Sequence, residues 1–285
     1  MIDKIKYQNM RRYELNAELL YACTKGSLDI VKYLLTSPEL KEHANIYHKD
    51  NYGMNALMYA CRYGSLEIIK YLLTSSELKE HNNIHDKDFY NKNLLVYACY
   101  YGHLDIVKYL LTSSELKEHA NIHHKDDNGN NALILACRNG HLEIVQYLLT
   151  SPELKEHANI HNKDNDGKNA LMWACKEGHL DIVKYLLTSF ELAEHADIYH
   201  KDNHYWDCLM YACAYGHLDI VQYLIIDMNM NIDKEAMRLL LDNNEDKEVY
   251  EHFLKLIESR DLYQKLNGSI GSDKTNNNRV NGIKI

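Results

Sequence analysis

Asp126–Lys163 reads DDNGNNALILACRNGHLEIVQYLLTSPELKEHANIHNK, and most of the chain consists of variants of this phrase. An Ala-Cys pair marks the register, because successive copies of it lie 38 residues apart, at Cys23, Cys61, Cys99, Cys137, Cys175 and Cys213. A fixed period of this length is typical of stacked supersecondary units rather than of a globule with one closed core. The sequence therefore predicts an array of six equivalent units within the 285 residues.

Each unit contains the signals of a turn followed by two helices. In the quoted copy, Asp126–Gly129 has turn chemistry, and Asn131 stands where a helix N-cap belongs. The short apolar segment Ala132–Cys137 suits a helix that ends near Gly140. A second helix follows, with an apolar face formed by Leu142, Val145, Leu148 and Leu149. Neither helix can bury its apolar face alone, so the units are expected to stack.

These residues resemble the ankyrin repeat. That family's pattern is a D-x-x-G finger followed by T-P-L-H-x-A-A-x-x-G-H-L-E-I-V-x-x-L-L, and the quoted copy shares Asp126, Gly129, Leu133, Ala136, Gly140–Val145, Leu148 and Leu149 with it. Two features depart from the pattern, because Asn131-Ala132 replaces Thr-Pro and each unit exceeds the family's usual length of about 33 residues. The resemblance implies an all-α ankyrin-repeat solenoid of stacked helix-turn-helix units with β-hairpin, or finger, loops.

The additional length of each unit lies in a segment that begins with Ser151–Leu154 in the quoted copy. Serine, proline and glutamate in this order are typical of a helix start. We therefore predict an added helical turn or a short third helix in each unit. It is expected to pack through one leucine per unit, at Leu40, Leu78, Leu116, Leu154 and Leu192.

The repeat pattern divides the chain into four parts. Residues 1–11 are polar and are expected to form a flexible N-terminus. Residues 12–233 are expected to form the ankyrin-repeat array, with units near 12–49, 50–87, 88–125, 126–163, 164–201 and 202–233. Residues 234–266 keep the apolar positions of a helix pair and are expected to form a C-terminal helical cap. Residues 267–285 are rich in Asn, Gly, Ser and Lys, so a disordered tail is expected.

Composition disfavours several classes of function. The net charge is −9 and no basic stripe follows either helix, so the sequence predicts no nucleic-acid partner. The chain has no apolar run long enough to span a bilayer, and its first residues lack the apolar core of a signal peptide. The periodic cysteines are expected to be small buried hydrophobes in a reducing compartment. We therefore expect a monomeric cytoplasmic protein without membrane contact, located in the host cytoplasm if the source is a parasite or virus.

The 17 histidines do not form a pattern typical of a metal site. One column of equivalent positions contains His103, His141, His179 and His217. Its members lie one unit apart, so they cannot converge on one ion. The resemblance implies instead that this column ties helix connections together by hydrogen bonds. The sequence also lacks a phosphate loop, a paired acid and base, and a nucleophile motif, so we expect no metal, no cofactor and no enzymatic activity.

The candidate binding residues differ between units at positions that are expected to be exposed. Relative to each periodic Cys, these positions are −10, −9, −7, +1 and +2, at the finger tips and at the outer end of the first helix. The resemblance implies that they line the concave groove with which ankyrin proteins bind partners. The candidates for protein binding are Tyr52, Met54, Arg62, Tyr63, Phe89, Tyr90, Lys92, Tyr100, Tyr101, Arg138, Lys176, His204, Trp206 and Tyr215.

Aromatic residues are concentrated at these positions in units two and three, beside Arg62, and a second group lies in unit six. Tyr, Trp and Arg dominate interface hot spots, so the sequence predicts a non-catalytic scaffold that binds a protein partner through this concave surface. Neutral enrichment of Tyr, of which the chain has 23, is the other explanation of the clusters. The alternative function is a structural spacer, or an adaptor, whose C-terminal helices dock to a larger complex.

Unit six departs from the finger pattern, because Tyr205 occupies the position of Gly53, Gly129 and Gly167. Tyr disfavours the positive φ that Gly adopts readily. We therefore expect the finger of unit six to have a different tip.

Overall fold

The computed structural model describes residues 4–231 except 79–82, 117–118, 155–156 and 193–194, together with residues 235, 236, 238, 239 and 255. A short helix α1, Lys4–Gln8, precedes six helix pairs. The pairs are α2 Arg12–Thr24 and α3 Leu28–Thr36, α4 Ala56–Arg62 and α5 Leu66–Thr74, α6 Leu94–Tyr101 and α7 Leu104–Thr112, α8 Ala132–Arg138 and α9 Leu142–Thr150, α10 Ala170–Glu177 and α11 Leu180–Thr188, and α12 Cys208–Ala214 and α13 Leu218–Gln222. Helix α13 continues as a π-helical segment, Tyr223–Asp227.

The helix pairs stack in the order of the chain. Each first helix contacts the first helices of the adjacent units, from α2 through α4, α6, α8 and α10 to α12, and each second helix packs on the first helix of its own unit. The only bridge between extended residues in the described part of the chain joins Lys163 and Asn169, and no strand is present there. The predicted all-α ankyrin-type solenoid is therefore confirmed.

Side-chain caps begin the first helices of units two to six, as the sequence predicts for Asn131. The Asn131 Oδ1 atom accepts a hydrogen bond from the backbone N–H of Ile134 at 2.9 Å. Asn55, Asn93, Asn169 and Asp207 cap their helices in the same way. An Asn or Asp cap contributes about 1 kcal/mol to helix stability, which is important for helices of only seven or eight residues.

The periodic cysteines lie in the continuous apolar core between the units. All seven thiols, including Cys208, are buried and free. Burial raises the pKa of Cys137 and of its equivalents far above the ordinary value, so these thiols are protonated at neutral pH. Their role as small buried hydrophobes is confirmed.

The fingers are five-residue turns organised by one aspartate each. In unit four, Asp126 Oδ1 accepts hydrogen bonds from the backbone N–H groups of Asn128 and Asn130 at 3.0 and 2.9 Å. The Asp126 N–H donates to the Asn130 carbonyl oxygen at 2.9 Å and closes the turn. Successive fingers are also joined, since the Asp127 N–H donates to the Tyr90 carbonyl oxygen at 3.1 Å. The finger edge is therefore one continuous hydrogen-bonded row.

The added segment of each unit forms a hydrogen-bonded turn and not a helix in the described residues. The Leu40 N–H donates to the Ser37 carbonyl oxygen at 3.2 Å, and residues 41–42 bend away from helical geometry. The His43 imidazole donates to the Ser37 carbonyl oxygen at 2.9 Å, which turns the chain back toward the stack. Of the two predicted forms, a single added turn is therefore present, whereas the short third helix is absent from the described residues. Packing of the leucine column on the core is confirmed.

The finger of unit six keeps the common tip, so the prediction of a different one is wrong. Tyr205 has φ 64°, close to the 79° of Gly53. Its N–H donates to the Asp202 carbonyl oxygen at 3.0 Å, as in the other fingers. A Cβ on Gly53 would lie 2.8 Å from the backbone nitrogen of Phe89 in the next finger. The described chain has no finger beyond unit six, so the Tyr205 side chain projects outward without such a clash and is 78% exposed.

Residues 4–8, within the segment expected to be flexible, form helix α1. Tyr7 is buried, with its ring centroid 6.0 Å from that of Tyr33. Lys6 Nζ also forms an ion pair with Glu18 at 2.8 Å. This short helix covers apolar surface at the open end of unit one.

Most of the predicted C-terminal cap, residues 234–266, and the whole predicted tail, residues 267–285, lie outside the described residues. Among the described helices, none combines the length and the apolar character needed to cross a membrane.

Candidate functional site

The finger tips of units two and three expose three aromatic side chains next to each other. Tyr52 is 61% exposed, Phe89 68% and Tyr90 53%. The Phe89 N–H donates to the Tyr52 carbonyl oxygen at 3.0 Å, so the backbone fixes the spacing of the two tips. These tips are the largest exposed aromatic group on the fingers of the described chain.

Arg62 lies in a group of tyrosines at the ends of α4 and α6. Its guanidinium carbon is 5.6 Å from the ring centroid of Tyr63 and 5.3 Å from that of Tyr101. Tyr101 is half-buried, and its ring makes an edge contact with Tyr100 at 4.8 Å between centroids. Burial raises the pKa of Tyr101, and the charge of Arg62 partly opposes that increase. The guanidinium is thus held by two rings from adjacent units.

Two further tyrosines attach the first helices to the fingers, and the sequence analysis did not identify them. The Tyr97 hydroxyl donates to Asp88 Oδ2 at 2.6 Å, and the Tyr59 hydroxyl donates to Asp50 Oδ2 at 2.8 Å. Burial raises the pKa of Tyr97, and burial together with the Asp50 carboxylate raises that of Tyr59 to about 12. Both hydroxyls therefore remain donors at neutral pH and keep the fingers fixed.

The same position in unit five is Trp173, which was also missed. Its indole nitrogen donates to Asp164 Oδ2 at 2.9 Å. Arg138 lies over the indole ring with its guanidinium carbon 4.3 Å from the centroid, and Lys176 Nζ lies at 4.7 Å. Lys176 Nζ is also 5.0 Å from the ring of Tyr215. Three predicted site residues, Arg138, Lys176 and Tyr215, are thus brought together by a residue outside the predicted set.

In unit six, Trp206 is half-buried and His204 is exposed at the finger tip. The Trp206 ring packs against Tyr211 at 5.2 Å between centroids, and the Tyr211 hydroxyl donates to Asp202 Oδ2 at 2.6 Å. Trp206 therefore packs on the tyrosine that holds the finger of unit six, and part of its side chain remains exposed to solvent.

One predicted site residue lies in the wrong place for contact with a partner. Met54 is only 4% exposed, so the expectation that position −7 faces solvent is wrong in unit two. This position follows the finger tip, and its side chain points back toward the helix layer. Its equivalent Lys92 in unit three is half-buried, with Nζ 5.8 Å from the ring of Tyr90.

The histidine column ties neighbouring units together. Each imidazole donates its Nε2–H to a backbone carbonyl oxygen at the end of the preceding unit's first helix. His103 binds the Arg62 carbonyl oxygen at 3.1 Å, and His141 binds that of Tyr100 at 3.1 Å. Within the described part of the chain, no group of three or more His, Cys, Asp or Glu residues is arranged to hold a metal ion.

Stacked helix pairs with a hydrogen-bonded finger edge and a variable inner surface define a helical-repeat protein. A family model described as ankyrin repeats matches residues 13–82, 76–156, 112–199 and 153–236, and the chain belongs to the ankyrin-repeat family. Ankyrin repeats generally mediate protein–protein interactions and are typically non-catalytic. No curated protein matches the chain.

Proposed function

We propose that this protein is a non-catalytic scaffold that binds a protein partner through the concave surface of units two and three. The supporting observation is the row of Tyr52, Phe89 and Tyr90, each more than half exposed on fingers that are fixed by hydrogen bonds. Exposed clusters of large aromatic side chains on soluble proteins mark interaction sites. A rigid aromatic row also loses little conformational entropy when a partner binds.

Arg62 contributes to the same surface from the first-helix layer. Its contacts with Tyr63 and Tyr101 restrict the side chain before any partner arrives. Arg and Tyr are among the residues most enriched in interface hot spots. Tyr63 and Tyr215 are exposed, whereas Tyr100 and Tyr101 are half-buried. Tyr101 lies against Arg62, and Tyr100 packs on Tyr101.

The group around Trp173 extends the proposed surface along units four to six. Arg138 and Lys176 lie over its ring and present their charged ends at the groove. A long partner segment crossing from unit two to unit six would contact both groups. In this proposal the protein acts as a monomer in the cytoplasm, in keeping with its seven buried free thiols.

The first test replaces the two exposed finger tyrosines together, as Tyr52→Ala and Tyr90→Ala. Hot-spot truncations cost about 2 kcal/mol each, so partner affinity is expected to fall by tenfold or more. Affinity purification with quantitative mass spectrometry compares proteins captured by the wild type and by the variant. Circular dichroism checks that helicity is unchanged.

Phe190→Ser provides the matched control, because Phe190 is 95% exposed and lies on the added turn, away from the groove. Serine occupies the equivalent positions in units two and three, at Ser76 and Ser114. Capture by this control is expected to equal that of the wild type. If the double variant still captures the same proteins at the same level, the groove is not the binding surface.

Deletion of residues 234–285 separates this proposal from the adaptor alternative. Groove binding is expected to persist if circular dichroism shows that the array remains folded. Loss of all specific capture by a folded truncated array would instead favour docking through the C-terminal residues.

A further inference from the structure

We infer that the partner segment bound in this groove is acidic, with carboxylates that pair with a row of cations in units one to three. The inference rests on the proposed function and specifies the chemistry of its partner. It starts from the positions of Lys25, Arg62 and Lys92. Their charged groups lie 5.4, 5.3 and 5.8 Å from the centroids of tyrosine rings.

These three cations have no carboxylate partner among the described residues. Each instead lies against an aromatic face, which attracts a cation but does not neutralise its charge. The chain as a whole has a net charge of −9, so a group of unpaired cations is opposite in sign to the rest of the molecule. Lys25 lies at the end of α2, Arg62 lies at the end of α4, and Lys92 lies on the finger of unit three. We take these three positions to be parts of the proposed groove.

The acidic residues near this row have partners of their own. Asp88 Oδ1 accepts from the backbone N–H groups of Tyr90 and Lys92 at 2.9 and 2.8 Å, and Asp88 Oδ2 accepts from the Tyr97 hydroxyl. Asp50 has the equivalent three bonds in unit two. Both carboxylates hold their own fingers closed, and Asp88 is buried. Three acceptor positions of each carboxylate are thus in use, and among the described residues neither carboxylate forms an ion pair with Arg62 or Lys92.

Units four and five differ, because two of their cations, Arg138 and Lys168, form ion pairs within the chain. Arg138 Nε lies 3.7 Å from Glu177 Oε1. Lys168 Nζ forms an ion pair with Asp166, and that contact lowers the pKa of the Asp166 carboxyl group. Three such cations without an ion pair among the described residues are therefore grouped in units one to three, where the exposed aromatic row also lies. Lys176 in unit five is a further cation of this kind, on the rings of Trp173 and Tyr215.

Arg62 is best placed to fix a carboxylate. Its guanidinium is oriented by rings on two adjacent units, and a planar guanidinium binds a carboxylate through two parallel hydrogen bonds. A partner segment that alternates carboxylates with apolar side chains would match this surface. Its carboxylates would meet Arg62 and Lys92 while its apolar side chains cover Tyr52, Phe89 and Tyr90.

The test uses random dodecapeptides displayed on phage as the probe and the full chain as bait. Binders that depend on the groove are identified by their loss when the bait carries Tyr52→Ala and Tyr90→Ala. We expect these binders to be enriched in Asp and Glu relative to the starting library. We also expect synthetic copies to bind about tenfold more weakly to a bait with Arg62→Gln and Lys92→Gln.

Lys108→Gln is the matched control, because Lys108 Nζ lies 5.5 Å from the ring of Tyr147 on the second helices, outside the groove. It removes a cation from a tyrosine face in the same way and is expected to leave peptide affinity unchanged. Affinity for the wild type should fall as salt rises, since an exposed ion pair is screened.

The outcomes distinguish the two proposals. Groove-dependent peptides without acidic enrichment, or with affinity unaffected by Arg62→Gln and Lys92→Gln, would overturn the acidic partner and leave the groove function standing. If no selected peptide depends on Tyr52 and Tyr90, both proposals fall.

Discussion

Tyr205 adopts a backbone conformation that is unfavourable for its side chain. A non-glycine residue in the left-handed region costs about 1–2 kcal/mol. The surrounding finger nevertheless imposes φ 64°, because Asp202 Oδ1 accepts hydrogen bonds from the N–H groups of His204 and Trp206 at 2.8 and 2.9 Å. The aspartate therefore determines the conformation of the five-residue turn, even where Tyr replaces the usual glycine.

Replacing Tyr205 with Gly should therefore stabilise the protein. Relief of the strain exceeds the entropy of about 0.4–1 kcal/mol that Gly adds to the unfolded chain, so the free energy of unfolding should rise by about 0.5–1 kcal/mol. Urea denaturation followed by circular dichroism measures this change. Tyr199→Gly is the control, since Tyr199 is also exposed but has no positive φ, and it should lose stability. A Tyr205→Gly variant less stable than the wild type would contradict the assignment of strain.

The burial and contacts of individual side chains were the hardest features to predict from the sequence. Met54 was expected in the groove because its column varies between units, but variation also occurs at buried positions where several side chains fit. Tyr97 and Trp173 were not recognised as finger contacts, since Tyr, Leu and Trp share that column without an obvious pattern. Their common function, a hydrogen bond to an aspartate nine residues earlier, is visible only when helix and finger are placed in space.

At the scale of elements, the histidine column connects the second helices of units three to six to the preceding unit. The His141 imidazole donates to the Tyr100 carbonyl oxygen at the end of α6, and it is half-buried there. Burial lowers the pKa of His141, and the hydrogen bond to Tyr100 offsets part of that decrease. Charges on His103 and His179 lower it further. The folded protein therefore favours the neutral ring.

This linkage predicts a stability loss in acid. A histidine whose pKa is lower in the folded state stabilises the fold above its unfolded pKa of about 6.5. That contribution is lost as pH falls through the folded pKa. His141→Ser, which introduces the residue that unit two has at Ser65, should cost about 1 kcal/mol at pH 7.5 through loss of the hydrogen bond.

The difference between the wild type and His141→Ser should shrink as the pH is lowered from about 7.5 to about 5. Urea denaturation across this range measures it. Parallel loss of stability in both proteins would show that His141 does not carry the pH dependence.

Elements with local signals were predictable from the sequence. The Asn131 cap, the glycine between helices and the apolar stripe of the second helix all act within a few residues, and the structure has each of them. The added Ser-Pro-Glu-Leu segment has an equally local helix-start signal but forms only a turn. There the His43 contact to the Ser37 carbonyl oxygen, six residues back, competes with continuation of a helix. The residues that favour a helix start do not reveal a contact formed by a side chain six residues further along the chain.

At the scale of the whole molecule, each unit is stabilised mainly by its immediate neighbours. The periodic cysteines are natural probes of this property, since each lies at the same buried position of its unit. A thiol with a raised pKa in the core reacts only when its unit opens. In mild urea, Cys99 and Cys137 should therefore react with an alkylating reagent more slowly than Cys23 and Cys213.

Mass spectrometry of the alkylated peptides gives these rates one unit at a time. The same reaction in strong denaturant is the control, where all thiols should react at similar rates. Equal rates for central and terminal units in mild urea would indicate that the array opens as a single block.

The constant geometry of the junctions has a consequence for how such a chain changes over generations. Each finger from unit three to unit six donates to the finger before it, and His103, His141, His179 and His217 of these units each bind the same carbonyl position of the preceding unit. A gene segment encoding one whole unit can thus be copied or lost, and the new neighbours inherit matching donors and acceptors. Among units three to six, recombination in steps of 38 codons would lengthen or shorten the groove while preserving the contacts at each junction.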